Sequence, residues 1–215
     1  MNAKSDQIKE QFETLEQQKS ADRLGMWIFL ATETMLFGGL FFAYTASHTL
    51  HPHVFSEASH ELEWNLEFGN TAVLLTSGFT MALAEIAVSL KRRGLTTLLL
   101  LTTIFFGIWF LVVKGVEYID DFQNGIVPFV VGGYHYTGSS PEIAKLFFDF
   151  YFALTGLHAF HMSIGVLLLF IMVTLAWRWR DPEKLTRQME IVGLYWAFID
   201  VAWMVIYTTL YLLQQ

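Results

Sequence analysis

The sequence contains no cysteine, which excludes disulfide bonds and thiolate metal sites. Proline occurs only 4 times, and charged residues make up only 15% of the 215 residues. This scarcity of charge accompanies a hydrophobic content of 54%, which is typical of a protein that crosses a membrane several times and not of a soluble domain. We therefore predict an all-α polytopic membrane protein and expect no nucleic-acid partner.

Five apolar runs are long enough to cross a bilayer as helices, which takes about 20 residues. The fourth run has no Asp, Glu, Lys or Arg from Phe150 to Trp177. Its polar residues, including His158 and His161, recur at helical spacing, so this helix should pack among others. The expected spans are residues 24–47, 68–90, 95–113, 146–177 and 191–213, within one membrane domain (21–215) that follows a polar cytoplasmic tail (1–20).

The basic residues alternate between connections. Eleven of the 13 lie in the N-terminal segment, the second connection and the fourth connection. The other two, Lys114 and Lys145, flank the third connection, and the first connection has none. The positive-inside rule therefore predicts a cytoplasmic N-terminus and a C-terminus outside.

Three carboxylates fall inside apolar runs and are expected to be buried in the membrane: Glu33, Glu85 and Asp200. Insertion scales give such a group a cost of about 2.5–3.5 kcal/mol at a helix centre, so it is a functional candidate. For Glu33 the alternatives are proton handling and a hydrogen-bonded acid that ties helices together. For Asp200 the expected partners are ring donors on its own helical face, Trp196, Trp203 and Tyr207.

The histidines offer two kinds of cofactor site, and neither is favoured. His158 and His161 are three residues apart on one helix and project the same way, so they cannot clamp one haem from opposite sides. Hydrogen bonding to another helix or to a lipid headgroup is the better interpretation. His51 and His53 stand beside carboxylates in the first connection, but the topology rule already explains these residues, and we expect no metal site.

Two segments together closely resemble subunit III of haem-copper respiratory oxidases: YFALTGLHAFHMSIGVLLL (151–169) and YWAFIDVAWMVIYTTLYL (195–212). Upstream, ATETMLFGGLFFAYTASH resembles the glutamate-bearing helix of that family, and NTAVLLTSGFTMAL resembles the next helix. The resemblance covers the chain from about Arg23 onward. It matches five polar residues to family positions: Glu33, Glu117, His158, His161 and Glu190.

The resemblance implies an accessory subunit, without a catalytic centre, of a proton-pumping oxidase that reduces dioxygen to water. It implies packing on the catalytic subunit I, with subunit II nearby, and haem and copper held by those partners. Family members bind phospholipids in a cleft and support proton uptake and stability during turnover, and Glu33, His158 and His161 match positions near that cleft. On charge and position, Arg178 and Arg180 are candidate partners for lipid headgroups.

The chain is similar to the five-span bacterial form of the family, which implies the cytoplasmic membrane of a bacterium. Ala159 and Ala197 depart from a frequent Gly and a frequent His of the family pattern, so contacts through that histidine do not carry over. The sequence leaves open the electron donor, cytochrome c or quinol, and membership of a larger supercomplex. The alternatives are the equivalent subunit of a nitric oxide reductase and a free-standing transporter or channel, although the chain lacks the internal repeats usual in transporters.

Overall fold

The structure is a computed structural model that describes residues 14–128, 134–179 and 181–212, and every regular element in these ranges is helical. Five helices are long and apolar enough to cross a bilayer, which confirms the expected all-α membrane fold. The elements are α1 (Leu15–Leu50), α2 (Pro52–Ser59), α3 (Trp64–Ser89), α4 (Arg93–Gln123), α5 (Pro141–Arg178) and α6 (Pro182–Tyr207), which continues as a π-helical segment, Thr208–Leu212.

Several helices extend beyond the apolar runs that predicted them. The 38 residues of α5 correspond to about 57 Å of helix, against about 30 Å for the hydrocarbon core of a bilayer. Its end turns therefore reach into the headgroup regions. The last residues of the polar segment 1–20 are helical, because α1 begins at Leu15. Residues 1–13 lie outside the described part of the chain.

Local sequence signals explain several helix ends. The Thr14 side chain accepts a hydrogen bond from a backbone N–H in the first turn of α1. Asp181 caps α6 in the same way, by accepting from the N–H of Lys184 at 3.1 Å. Pro182 occupies the first helical position, where a missing N–H costs nothing. Trp179 adopts a left-handed backbone, with φ of 47°, and ends α5.

The antiparallel helices give the bundle two ends. The proximal end carries the start of α1 and the short turns from α3 to α4 and from α5 to α6, where the basic residues cluster. The distal end carries α2 and the connection from α4 to α5. These distal elements are joined, because Ser139 donates its backbone N–H to Oε1 of Glu57 at 3.2 Å and its hydroxyl to Oε2.

The core of the bundle lies among α3, α4, α5 and α6. Trp196 of α6 is 1% exposed and fills the space between Gly107 of α4 and Gly165 of α5. A Cβ at Gly107 would lie 2.9 Å from the indole, and one at Gly165 would lie 3.0 Å from it. The indole N–H donates to Oγ of Ser77 on α3 at 3.2 Å. One side chain therefore touches all four core helices.

α1 lies at the edge of this core, mainly against α5 and α6. Its outward face is apolar, and Met35 and Phe42 are each 77% exposed. Gly38 and Gly39 lie on the uncovered part of the helix, where an added Cβ would meet no atom within 4 Å. The chain thus leaves one flank of α1 free to contact lipid or another protein.

Candidate functional site

The structure brings together two of the predicted site residues, Glu33 of α1 and His161 of α5. Oε2 of Glu33 lies 3.0 Å from Nε2 of His161. Nδ1 of His161 lies 2.8 Å from the carbonyl oxygen of Leu157 and donates to it. One ring nitrogen of His161 therefore links α5 to α1, and the other fixes the orientation of the ring on its own helix. Of the two kinds of partner expected for His161, another helix or a lipid headgroup, the structure contains the contact with another helix.

The Glu33 and His161 pair lies at the rim of an apolar groove between α1, α5 and α6. The groove has a volume of about 390 Å³ and is lined by side chains such as Phe29, Phe160 and Leu168. Tyr195 also borders it and donates its hydroxyl to the carbonyl of His161 at 3.2 Å. An apolar groove with one polar pair at its rim suits an acyl chain beneath a polar group.

Glu85 and Asp200 occupy a second groove, between α3 and α6, with a volume of about 660 Å³. Each acid packs against a glycine of the opposite helix. A Cβ at Gly193 would lie 1.4 Å from Oε1 of Glu85, and a Cβ at Gly78 would lie 2.1 Å from Oδ2 of Asp200. Because glycine has no side chain, each carboxyl can lie directly on the backbone of the opposite helix.

The expected partners of Asp200 are wrong. Trp196 donates to Ser77, and Trp203 donates its indole N–H to Oγ1 of Thr71 at 3.0 Å, so both ring donors serve hydroxyls on α3. Oδ1 of Asp200 has no hydrogen-bond partner among the described residues. An indole that extends across a helix interface reaches the facing helix more readily than a short side chain on its own helix.

Exposure within the chain differs among the three acids. Within the chain Asp200 is buried at 8% exposure, whereas Glu33 and Glu85 are only half-buried. Glu33 is half-buried because α1 has neighbours on one side only, and Glu85 because the groove between α3 and α6 is open. At the proximal mouth of that groove, Glu190 is exposed and pairs with Arg23 at 3.1 Å.

Glu117, which the resemblance matched to a family position, belongs to a buried ionic cluster at the distal end that was not predicted from the sequence. Nζ of Lys114 donates to Oε2 of Glu117 at 2.6 Å and to the hydroxyl of Tyr211 at 2.8 Å. It also lies 3.2 Å from Oε1 of Glu67 and 5.2–5.3 Å from the ring centroids of Tyr151, Trp203 and Tyr211. We call the set Glu67, Lys114, Glu117, Asp121, Tyr151 and Tyr211 the distal cluster.

Lys114 closes the third apolar run of the sequence, so it was expected at the end of its span. Instead α4 continues to Gln123, and Lys114 is 2% exposed beside Glu67 at 0%. A buried ammonium group needs a hydrogen-bonded counter-ion, and Glu117 on the same helix provides it, while Glu67 of α3 lies beside this pair. A usable signal was the spacing of Lys114, Glu117 and Asp121, which puts all three on one face if the helix continues.

His158 is not hydrogen-bonded, contrary to the expectation. It is 1% exposed, and neither ring nitrogen has a partner among the described residues. Its ring packs 4.8 Å from the ring of Trp203 and 5.4 Å from that of Phe110, measured between centroids. It is therefore a packed core side chain between the distal cluster and the centre of the bundle.

Of the two lipid candidates, the structure describes only Arg178, which lies at the proximal end. Arg178 is exposed at the end of α5, and Arg180 lies outside the described residues. Nearby, Lys19, Lys91 and Arg187 line a cavity of about 470 Å³. Nη1 of Arg187 is buried there without a hydrogen-bond partner in the described chain. In the same described part, no three His, Asp or Glu side chains are grouped so as to hold a metal.

Comparison with known proteins gives a consistent result. A model of the family described as cytochrome c oxidase subunit III matches residues 10–215. Cytochrome c oxidase subunit 3 of Thermostichus vulcanus is 29% identical over 197 residues, which are 89% of this chain and 87% of that protein. The Synechocystis protein of the same name is 30% identical over 88% of this chain and 74% of its own length. Cytochrome bo(3) ubiquinol oxidase subunit 3 of Pseudomonas aeruginosa is 28% identical, over 88% of this chain and 83% of its own length.

Proposed function

Because the chain belongs to the cytochrome c oxidase subunit III family, we propose that it is the non-catalytic third subunit of a proton-pumping haem-copper oxidase that reduces dioxygen to water. The family match over almost the whole chain carries this proposal. Relatives named as cytochrome c oxidase and as ubiquinol oxidase subunits match about equally well, so the electron donor stays open. The multi-pass fold supports a membrane location, which we propose to be the cytoplasmic membrane of a bacterium.

The uncovered flank of α1 supports packing against subunit I. Met35 and Phe42 expose large apolar surfaces there, and Gly38 and Gly39 offer a smooth strip beside them. Small residues let the backbones of two membrane helices approach closely, which increases van der Waals contact. We place the contact with subunit I on this flank, with subunit II as a further member of the complex.

Haem and copper are assigned to the partner subunits. The two intramembrane histidines do not fit an axial haem pair, because His161 is engaged by Glu33 and Leu157 while the ring of His158 is enclosed by aromatic side chains. A haem bound to either ring would displace the side chains that pack against α5.

Phospholipid binding is supported by two features of the surface. The groove beside Glu33 and His161 is apolar enough to take an acyl chain. The proximal cavity brings together Lys19, Lys91 and Arg187, and the partnerless Nη1 of Arg187 is a ready donor for a phosphate oxygen. Arg178 lies at the same end and could bind a second headgroup.

A supporting role in proton uptake is consistent with the acids of the second groove. Glu190 lies at its proximal mouth, and Glu85 and Asp200 line its interior. If the proximal end faces the cytoplasm, these carboxyls can bind and release protons on the side from which the oxidase takes them up. They would buffer protons for the complex without being obligatory carriers.

Glu33 provides the test of the accessory role. Glu33→Gln keeps a hydrogen-bonding group beside His161, so the initial rate of oxygen reduction should change little. Glu33→Ala leaves Nε2 of His161 without its partner, at a cost of about 1–3 kcal/mol, and opens the rim of the apolar groove. We expect the time for which the enzyme stays active during turnover to shorten in this variant.

Glu142→Gln, at the exposed start of α5, is the matched control and should leave rate and lifetime unchanged. Immediate loss of most activity in Glu33→Gln, with the complex assembled and its haem spectrum intact, would make Glu33 an obligatory proton carrier and refute the supporting role.

A further inference from the structure

The distal cluster has an unequal number of basic and acidic groups. Lys114 is its one amine, and three carboxyl groups surround it, from Glu67, Glu117 and Asp121. All four side chains are at most 7% exposed. The interior of a membrane protein does not tolerate uncompensated charges, and one ammonium group balances only one carboxylate, so neutrality requires a proton on each of the other two carboxyls.

The hydrogen bonds show which carboxyl is ionised. Glu117 accepts from Lys114 at 2.6 Å, from Tyr211 at 3.0 Å and from Tyr151 at 2.9 Å. Three donors converging on one carboxyl favour its charged form. Glu117 is therefore the carboxylate that balances the ammonium group of Lys114.

Glu67 has the opposite environment. It is 0% exposed, and neither of its oxygens receives a hydrogen bond of good geometry, although Oε1 lies 3.2 Å from Nζ of Lys114. Its carboxyl also interacts directly with that of Glu117. A proton on Glu67 removes this repulsion, because its hydroxyl can then donate to Glu117. The N-terminal end of α3 favours a negative charge at Glu67, but this effect is too small to offset an unpaired buried carboxylate.

We propose that the distal cluster is a proton-binding site in which Glu67 holds a proton while Lys114 and Glu117 form a fixed ion pair. Tyr151 connects the site to the end of α4, since its hydroxyl lies 2.9 Å from Oε1 of Glu117 and 3.1 Å from Oδ2 of Asp121. When Asp121 has released its proton, the proton of Glu67 can replace it. Glu117 takes the proton from Glu67 and passes it to the oxygen of Tyr151, while the Tyr151 hydroxyl gives its own proton to Asp121, so that Glu117 is again a carboxylate and the tyrosine is unchanged. The other groups that face the site are Tyr118 and Asp120 of α4, His158 of α5, and Trp203 and Tyr207 of α6.

Infrared spectroscopy of the protein, in the form in which it is isolated from membranes, tests this proposal without reference to its activity. A protonated carboxyl has a carbonyl stretch separate from that of a carboxylate. Glu67→Gln should lose one such band at neutral pH and should assemble normally, because the amide has the shape and the neutrality of the protonated acid. Glu33→Gln is the control for a carboxyl elsewhere in the bundle and should leave that band in place.

Two further variants distinguish a shared proton site from a single protonated acid. Glu117→Gln should also lose the Glu67 band, because Glu67 would then ionise to pair with Lys114. Lys114→Met should gain band intensity, because Glu117 would lose its counter-ion and take up a proton. An unchanged band in Glu67→Gln, or failure of that neutral variant to assemble, would overturn the proposal.

Discussion

The packing of Trp196 gives a prediction whose size can be worked from the structure. In Gly165→Ala the new methyl group would lie 3.0 Å from Cζ3 of Trp196 and 3.1 Å from Cδ1 of Ile199. Trp196 cannot move away freely, because Gly107 confines its other side and its N–H donates to Ser77. Overpacking of this kind costs about 1–3 kcal/mol, and the better helix propensity of alanine returns about 1 kcal/mol.

The expected net effect of Gly165→Ala is a loss of up to about 2 kcal/mol, measured as a lower temperature at which the subunit dissociates or loses its helical signal. Gly115→Ala is the control, because its Cβ would meet no atom within 4 Å. Adding Trp196→Phe to Gly165→Ala should recover part of the loss, with a coupling energy of about 0.5–3 kcal/mol. If Gly165→Ala is as stable as Gly115→Ala, the indole does not fill the space between these helices and the packing argument is wrong.

Two further predictions concern topology and assembly. A cysteine at Ser139 should react with an impermeant thiol reagent from outside intact cells and one at Lys184 should not, because basic residues mark the cytoplasmic end; the reverse pattern would contradict the orientation. Deleting subunit I should sharply reduce the amount of this chain in the membrane, since its apolar flank would lose its partner; normal accumulation would count against the proposed complex.

The five spans could be predicted from sequence because each is a long apolar run, and this signal needs no knowledge of neighbours. Glu33 and His161 were both identified as candidates, but their pairing could not be predicted, since it depends on how α1 packs against α5. The Asp200 prediction failed for a related reason. Helical spacing correctly put Trp196 and Trp203 on its face, but their N–H groups reach Ser77 and Thr71 on α3.

The distal cluster could not be predicted from the positions of the apolar runs. A charged residue usually ends a membrane span, so Lys114 was expected at the border of its helix. Its burial is tolerable because Glu117 on the same helix is its counter-ion and Tyr211 of the π-helical segment accepts a second hydrogen bond from it. The contact with Tyr211 joins residues far apart in the sequence. The helical spacing of Lys114, Glu117 and Asp121 indicates that the three residues share a face, but only if α4 is assumed to continue past the apolar run.

Isolation of the tagged chain from its native membrane tests the central claim most directly. An accessory subunit of a haem-copper oxidase should be recovered in a mild detergent with larger partner subunits, in equal molar amounts, and with a haem absorbance spectrum that those partners carry. The same preparation should reduce oxygen when supplied with an electron donor. Recovery of the chain alone as a stable homo-oligomer without haem-bearing partners would contradict this account and favour a free-standing transporter or channel.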